Sequence, residues 1–132
     1  MGRILTGLVA LITMGTAAHA TTLAAGSLYG GTAQNQATCY LFNAGATAVT
    51  VKAPKIIREP GISLTLTFND CPVSPDRLAA GAICVFAVKP IINSATHACR
   101  AVVDPDGAEV RGELDIRGGV GSGTVLQVEQ LR

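Results

Sequence analysis

Four cysteines, Cys39, Cys71, Cys84 and Cys99, follow what reads as an export leader, and together these features narrow the available folds more than anything else in the chain. The leader is MGRILTGLVALITMGTAAHA: Arg3 supplies the positive start, and Ile4 to Met14 is an apolar run. Ala18-His19-Ala20 then puts small residues where a signal peptidase reads them. The run is shorter than the roughly 20 residues a helix needs to cross a bilayer, so cleavage after Ala20 is expected rather than anchoring. This reading gives a signal peptide over residues 1–20 and a single domain over 21–132, exported to the periplasm or the extracellular space.

In an oxidising compartment an even number of cysteines is most simply a disulfide framework. A zinc site is the alternative, but the gaps are long and irregular, and His97 is the sole histidine beyond the leader. Three pairings exist. Cys71 and Cys84 flank a Pro- and Gly-containing loop, CPVSPDRLAAGAIC, that can bring its ends together. Pairing them leaves Cys39 with Cys99, tying an early strand to a late one. Each bridge is worth roughly 2–4 kcal/mol, mainly through restriction of the unfolded chain.

Beyond Ala20 nine Lys and Arg face nine Asp and Glu. A near-zero net charge argues against nucleic acid or an anionic membrane as the main partner, because both require a basic surplus. No later stretch is long and apolar enough to span a bilayer. With no Trp, two Tyr and three Phe in the whole chain, there are few rings for stacking on sugars or bases.

The remaining pattern is that of short strands joined by turns. Gln36 to Asn43 is β-prone and ends at the turn Asn43-Ala44-Gly45. Thr47 to Lys52 follows until Pro54, which lacks a ladder donor and must sit at an edge, a bulge or a strand end. Lys55 to Glu59 resumes before the turn at Pro60-Gly61. Ile62 to Phe68 alternates most cleanly, with Ile62, Leu64, Leu66 and Phe68 on one side, as in a half-buried strand. Ile83 to Lys89 is apolar on both faces, and His97 to Val103 forms the next strand. Glu109 to Arg117 alternates again, with Val110, Gly112, Leu114 and Ile116 inward and Arg111, Glu113, Asp115 and Arg117 on a solvent face. After GGVGSG comes a last strand, Thr124 to Leu131. Seven or eight short strands without helical periodicity predict an all-β, immunoglobulin-like antiparallel β-sandwich.

The strand ending Asn43-Ala44-Gly45, the following stretch through Val49 and Val51, then Cys71 and Leu78-Ala79-Ala80-Gly81-Ala82-Ile83-Cys84-Val85 carry a family resemblance. Over about Cys39 to Val88 the chain resembles small bacterial immunoglobulin-type modules related to the abnormal-spindle/hydin group. The chain departs from that pattern at Lys89-Pro90-Ile91-Ile92. The resemblance implies a scaffolding or binding domain without catalysis and carries no active-site residues over.

Candidate chemistry is sparse. His97 lies two residues before Cys99, and it reads as an ordinary surface or edge histidine, since catalysis requires a nucleophile and an orienting acid around it. Asp104-Pro105-Asp106-Gly107 resembles the opening of a calcium loop but lacks the later acidic ligands, and reads as a β-turn. Gly118 to Gly123 lacks the Lys-Ser/Thr of a phosphate loop and precedes a strand, so it reads as a connector. No cofactor or metal is expected. Arg111-Gly112-Glu113 lies within a strand, which discounts it as an adhesive tripeptide. The row Arg111, Glu113, Asp115 and Arg117 suits edge protection and solubility, or the rim of a protein interface. The leading expectation is therefore an exported non-catalytic module that binds a protein or a cell-envelope component. The alternative is a small secreted enzyme or enzyme inhibitor built around His97 or the Asp104 to Gly107 turn.

Overall fold

A computed structural model describes residues 20–24, 28–31, 34–72, 75–91, 95–104, 109–118 and 125–131, the last segment in its backbone alone. The expected leader over 1–20 (apart from Ala20), residues 105–107 of the acidic turn and most of the Gly118 to Gly123 connector lie outside the described residues.

The described residues form strands and no helix: β1 (Thr21–Ala24), β2 (Leu28–Gly30), β3 (Gln34–Asn43), β4 (Thr50–Arg58), β5 (Ile62–Leu64), β6 (Phe68–Asn69), β7 (Ile83–Val88), β8 (Ala95–Asp104), β9 (Val110–Gly118) and β10 (Val125–Leu131). They assemble into two five-stranded sheets in which every strand pair is antiparallel. In the first sheet β8 is central, with β4 and then β5 on one side and β1 and β2 end to end on the other. The second runs β10-β9-β3-β7-β6.

Strand alternation sends one set of side chains into the space between the sheets. From the first sheet come Leu23, Val51, Ile56, Cys99, Ala101 and Val103; from the second come Ala37, Cys39, Leu41, Phe86, Leu114 and Ile116, all buried. The Cys39–Cys99 bridge spans β3 and β8 and so ties the sheets together, while Cys71–Cys84 closes the loop before β7. This is the pairing that the loop geometry favours.

Two sequence expectations are corrected. The run from Ile62 to Phe68 is not one strand. Ile62–Leu64 pairs with β4 in the first sheet, whereas Phe68–Asn69 pairs with β7 in the second. Alternation persists through the crossing because Leu64 and Leu66 still pack on the core at the corner, while Ile62 and Phe68 at the ends are exposed. The strands also outnumber the seven or eight expected, because Thr21–Ala24 and Leu28–Gly30 add to β8 as pieces too short to show a period. The strand interrupted at Pro54 resumes beyond it, so Thr50–Arg58 is continuous. Pro54 sits in a bulge where the register with β8 slips between Lys52 and Lys55, and Ala53 there has φ 47°.

Two turns use local chemistry. Buried Asn43 accepts from Gly45 N at 3.0 Å and donates to the carbonyls of Thr47 (2.8 Å) and Leu78 (3.1 Å), which pins the turn after β3 against the loop before β7. Gly81, at φ 73°, turns the chain so that Ala82 N reaches the Ala79 carbonyl and β7 can begin.

Candidate functional site: the outer face of the second sheet

The outward-facing residues of β3, β7 and β9 are fixed by register. Phe42 lies between Ile83 of β7 and Arg111 of β9; two residues along, Tyr40 lies between Val85 and Glu113; two further, Thr38 lies between Ala87 and Asp115. Phe68 extends this third row, opposite Ala87. Large apolar side chains stand out here: Ile83 is 63% exposed, Phe68 53% and Phe42 40%. They account for three of the five exposed large hydrophobic residues among the described residues, and Tyr29 and Ile62 lie on the first sheet. An apolar cluster rimmed by charge is the usual form of a protein contact surface.

The four charged residues singled out on β9 differ sharply in environment. Arg111 is exposed and Glu113 half-buried, and neither has an ion-pair partner among the described residues. Asp115, expected on the solvent face, is buried instead. It forms the floor of the face beside the small residues Thr38 and Ala87, also buried, and the larger Arg117 folds over it. Asp115 Oδ2 accepts from Arg117 Nε at 3.0 Å and Nη2 at 2.8 Å, whereas Oδ1 has no partner among the described residues. Arg117 also donates from Nη2 to the Tyr40 hydroxyl, and its guanidinium carbon lies 5.8 Å from the centre of the Tyr40 ring. Burial and then the Asp115 carboxylate push the Tyr40 phenol above its ordinary pKa, with Arg117 opposing. The hydrogen bonds that Arg117 donates to Asp115 hold its pKa above the ordinary value, against the cost of desolvation. The trio is thus a locked polar brace beside the apolar cluster.

His97 is also corrected. It is neither at the surface nor on an edge strand: β8 is central, and alternation turns positions 97, 99, 101 and 103 toward the core. The imidazole is fully buried, and neither ring nitrogen has a hydrogen-bond partner among the described residues. Gly30 packs beside it: a Cβ there would meet His97 Cε1 at 3.5 Å, an ordinary contact, and would press only on Ile91 Cδ1 at 3.3 Å. Burial lowers its pKa below the ordinary value, reinforced by Arg58 across the strand pair and countered by the nearby Ala95 backbone. A depression of about 360 Å³ over the first sheet is lined by Ile57, Glu59, Gly61, Thr96, His97 and Ala98. The strand alternation that puts Thr96 and Ala98 on its outer side turns the imidazole inward.

This gives a pH expectation with a definite sign. Because the folded state resists protonating His97, its neutral form is fully accommodated above the unfolded value of 6.5. Stability then falls as the pH drops below that value, by at most about 1.4 kcal/mol per pH unit. Urea midpoints of residues 21–132 measured at neutral and mildly acidic pH should show this decline, and His97→Leu should flatten it. An equally steep decline in the variant would assign the effect elsewhere.

Asp104, at the head of the acidic turn, pairs with Lys52 at 2.7 Å, an exposed bridge of small energetic weight. Among the described residues no three His, Cys, Asp or Glu side chains are grouped to hold a metal ion. No helix among them is long and apolar enough to cross a membrane. Compared with known proteins, the chain matches no family model, no curated protein and no solved structure.

Proposed function

We propose that this chain is an exported, non-catalytic, immunoglobulin-like module that acts by binding a protein or cell-envelope component through the outer face of β3, β7 and β9. The observation that carries the reading is the gathering of Phe42, Phe68 and Ile83, exposed, on one sheet face beside Arg111 and Glu113. Export rests on the leader pattern and is supported by two disulfides, which form and persist in oxidising compartments. The immunoglobulin-like reading is supported by an inter-sheet bridge from an early strand to a late one, with the fully buried Ile56 paired beside Cys99.

A photo-reactive side chain at position 83 of the exported protein tests this reading in its own compartment. It should give a discrete cross-linked adduct, and one at Lys52, exposed on the other sheet, should not. Equal labelling from both positions, or none from position 83, would reject this face as the binding surface.

A further inference from the structure

We infer that the face of β3, β7 and β9 receives a second copy of this chain, an inference that rests on the binding role proposed for that face. The argument lies in two adjacent rows set by the strand register. One row reads Arg111, Phe42, Ile83 across β9, β3 and β7; the next reads Glu113, Tyr40, Val85 across the same strands. Position by position, the rows match a cation with an anion, an aromatic ring with an aromatic ring, and a β-branched aliphatic side chain with another.

A closed dimer uses the same patch twice, so residue i of one copy must suit residue j of the other, and the reverse. Consider two such faces packed together about a two-fold axis that lies in the interface, runs across the strands and passes between the two rows. That axis lays the first row of each copy on the second row of its mate. Arg111 then meets the partner copy's Glu113, Phe42 meets Tyr40 and Ile83 meets Val85, each contact occurring twice. Stacked sheets lie about 10 Å apart, within reach of these side chains. The charges at one end of each row are free to take part, because neither Arg111 nor Glu113 is ion-paired within the chain among the described residues. At the other end Ile83 is the most exposed of the large apolar side chains, at 63%, and Val85 beside it is half-buried. Arg117 and Asp115 lie outside the two rows and pair with each other, and Arg117 also holds Tyr40 of the second row by its hydroxyl.

Reversing the charges is the decisive experiment. Sedimentation equilibrium of the leaderless, oxidised protein from micromolar to millimolar concentration should show a monomer–dimer equilibrium. Arg111→Glu or Glu113→Arg alone should weaken it by about tenfold or more through like-charge contacts, and the double reversal R111E/E113R should restore it. Ile83→Lys should abolish it, with circular dichroism confirming the fold of every variant. A monomer at all concentrations, a dimer indifferent to the single reversals, or a double reversal that stays dissociated overturns the inference. The binding face itself is judged separately, since a position-83 adduct with a different protein would preserve that reading while removing the second copy from it.

Discussion

Replacing Cys39 and Cys99 together by alanine is expected to cost the domain roughly 4 kcal/mol, against about 3 kcal/mol for the same change at Cys71 and Cys84. The difference follows from loop length, with sequence separations of 60 and 13. The order is reinforced by position. Cys39 and Cys99 sit fully buried between the sheets, so their loss also leaves unfilled space in the core. Against a typical domain stability of about 5–15 kcal/mol, the first loss consumes a large share. Urea unfolding of the oxidised parent and the two double variants, at one pH, measures both effects. Equal midpoints for the two variants would overturn both the loop-length argument and the added weight given to the bridge between the sheets.

The second large effect is expected at Arg117. Arg117→Met keeps an unbranched stem over Tyr40 but leaves the Asp115 carboxylate, with a side chain 2% exposed, without its counter-charge. Orphaning a buried charge in this way costs about 3–5 kcal/mol. The converse change should be far milder. Asp115→Asn removes the buried charge, and Arg117, 31% exposed, can still be solvated. Adding Asp115→Asn to Arg117→Met should therefore recover most of the lost stability. A double-mutant cycle reads the coupling directly, and additive losses would show that Arg117 acts through packing alone.

These effects depend on features that were unevenly legible in the sequence. The strand pattern of β3, β7, β8 and β9 and the bulge forced by Pro54 could be read because each rests on local chemistry: alternation, turn residues, a missing amide. The sheet crossing between Leu64 and Phe68 could not, since a strand that turns a corner over a core keeps the same alternation as one that runs straight. Asp115 and His97 were misplaced for a related reason. Strand period assigns a residue to a face, but burial depends on the neighbours leaning over that face. For Asp115 these are the small Thr38 alongside and the larger Arg117 folded across it. The burial of His97 follows from the central place of β8, which is set by β1 and β2 adding on its far side. The apolar cluster of Phe42, Phe68 and Ile83 was likewise hidden, because its members come from three strands whose adjacency only the register reveals.

Along its outer margin β7 meets only the two-residue β6, yet its backbone there is occupied by other means. Asp70 accepts from Val85 N through its carboxylate and donates its own amide to the Val85 carbonyl; Thr67 N donates to the Ala87 carbonyl, and Lys89 N donates to the Thr67 hydroxyl. A border closed in this way offers no ladder on which a foreign strand could extend the sheet. The fold is thereby spared one route to fibrous growth, at the cost of two small polar side chains.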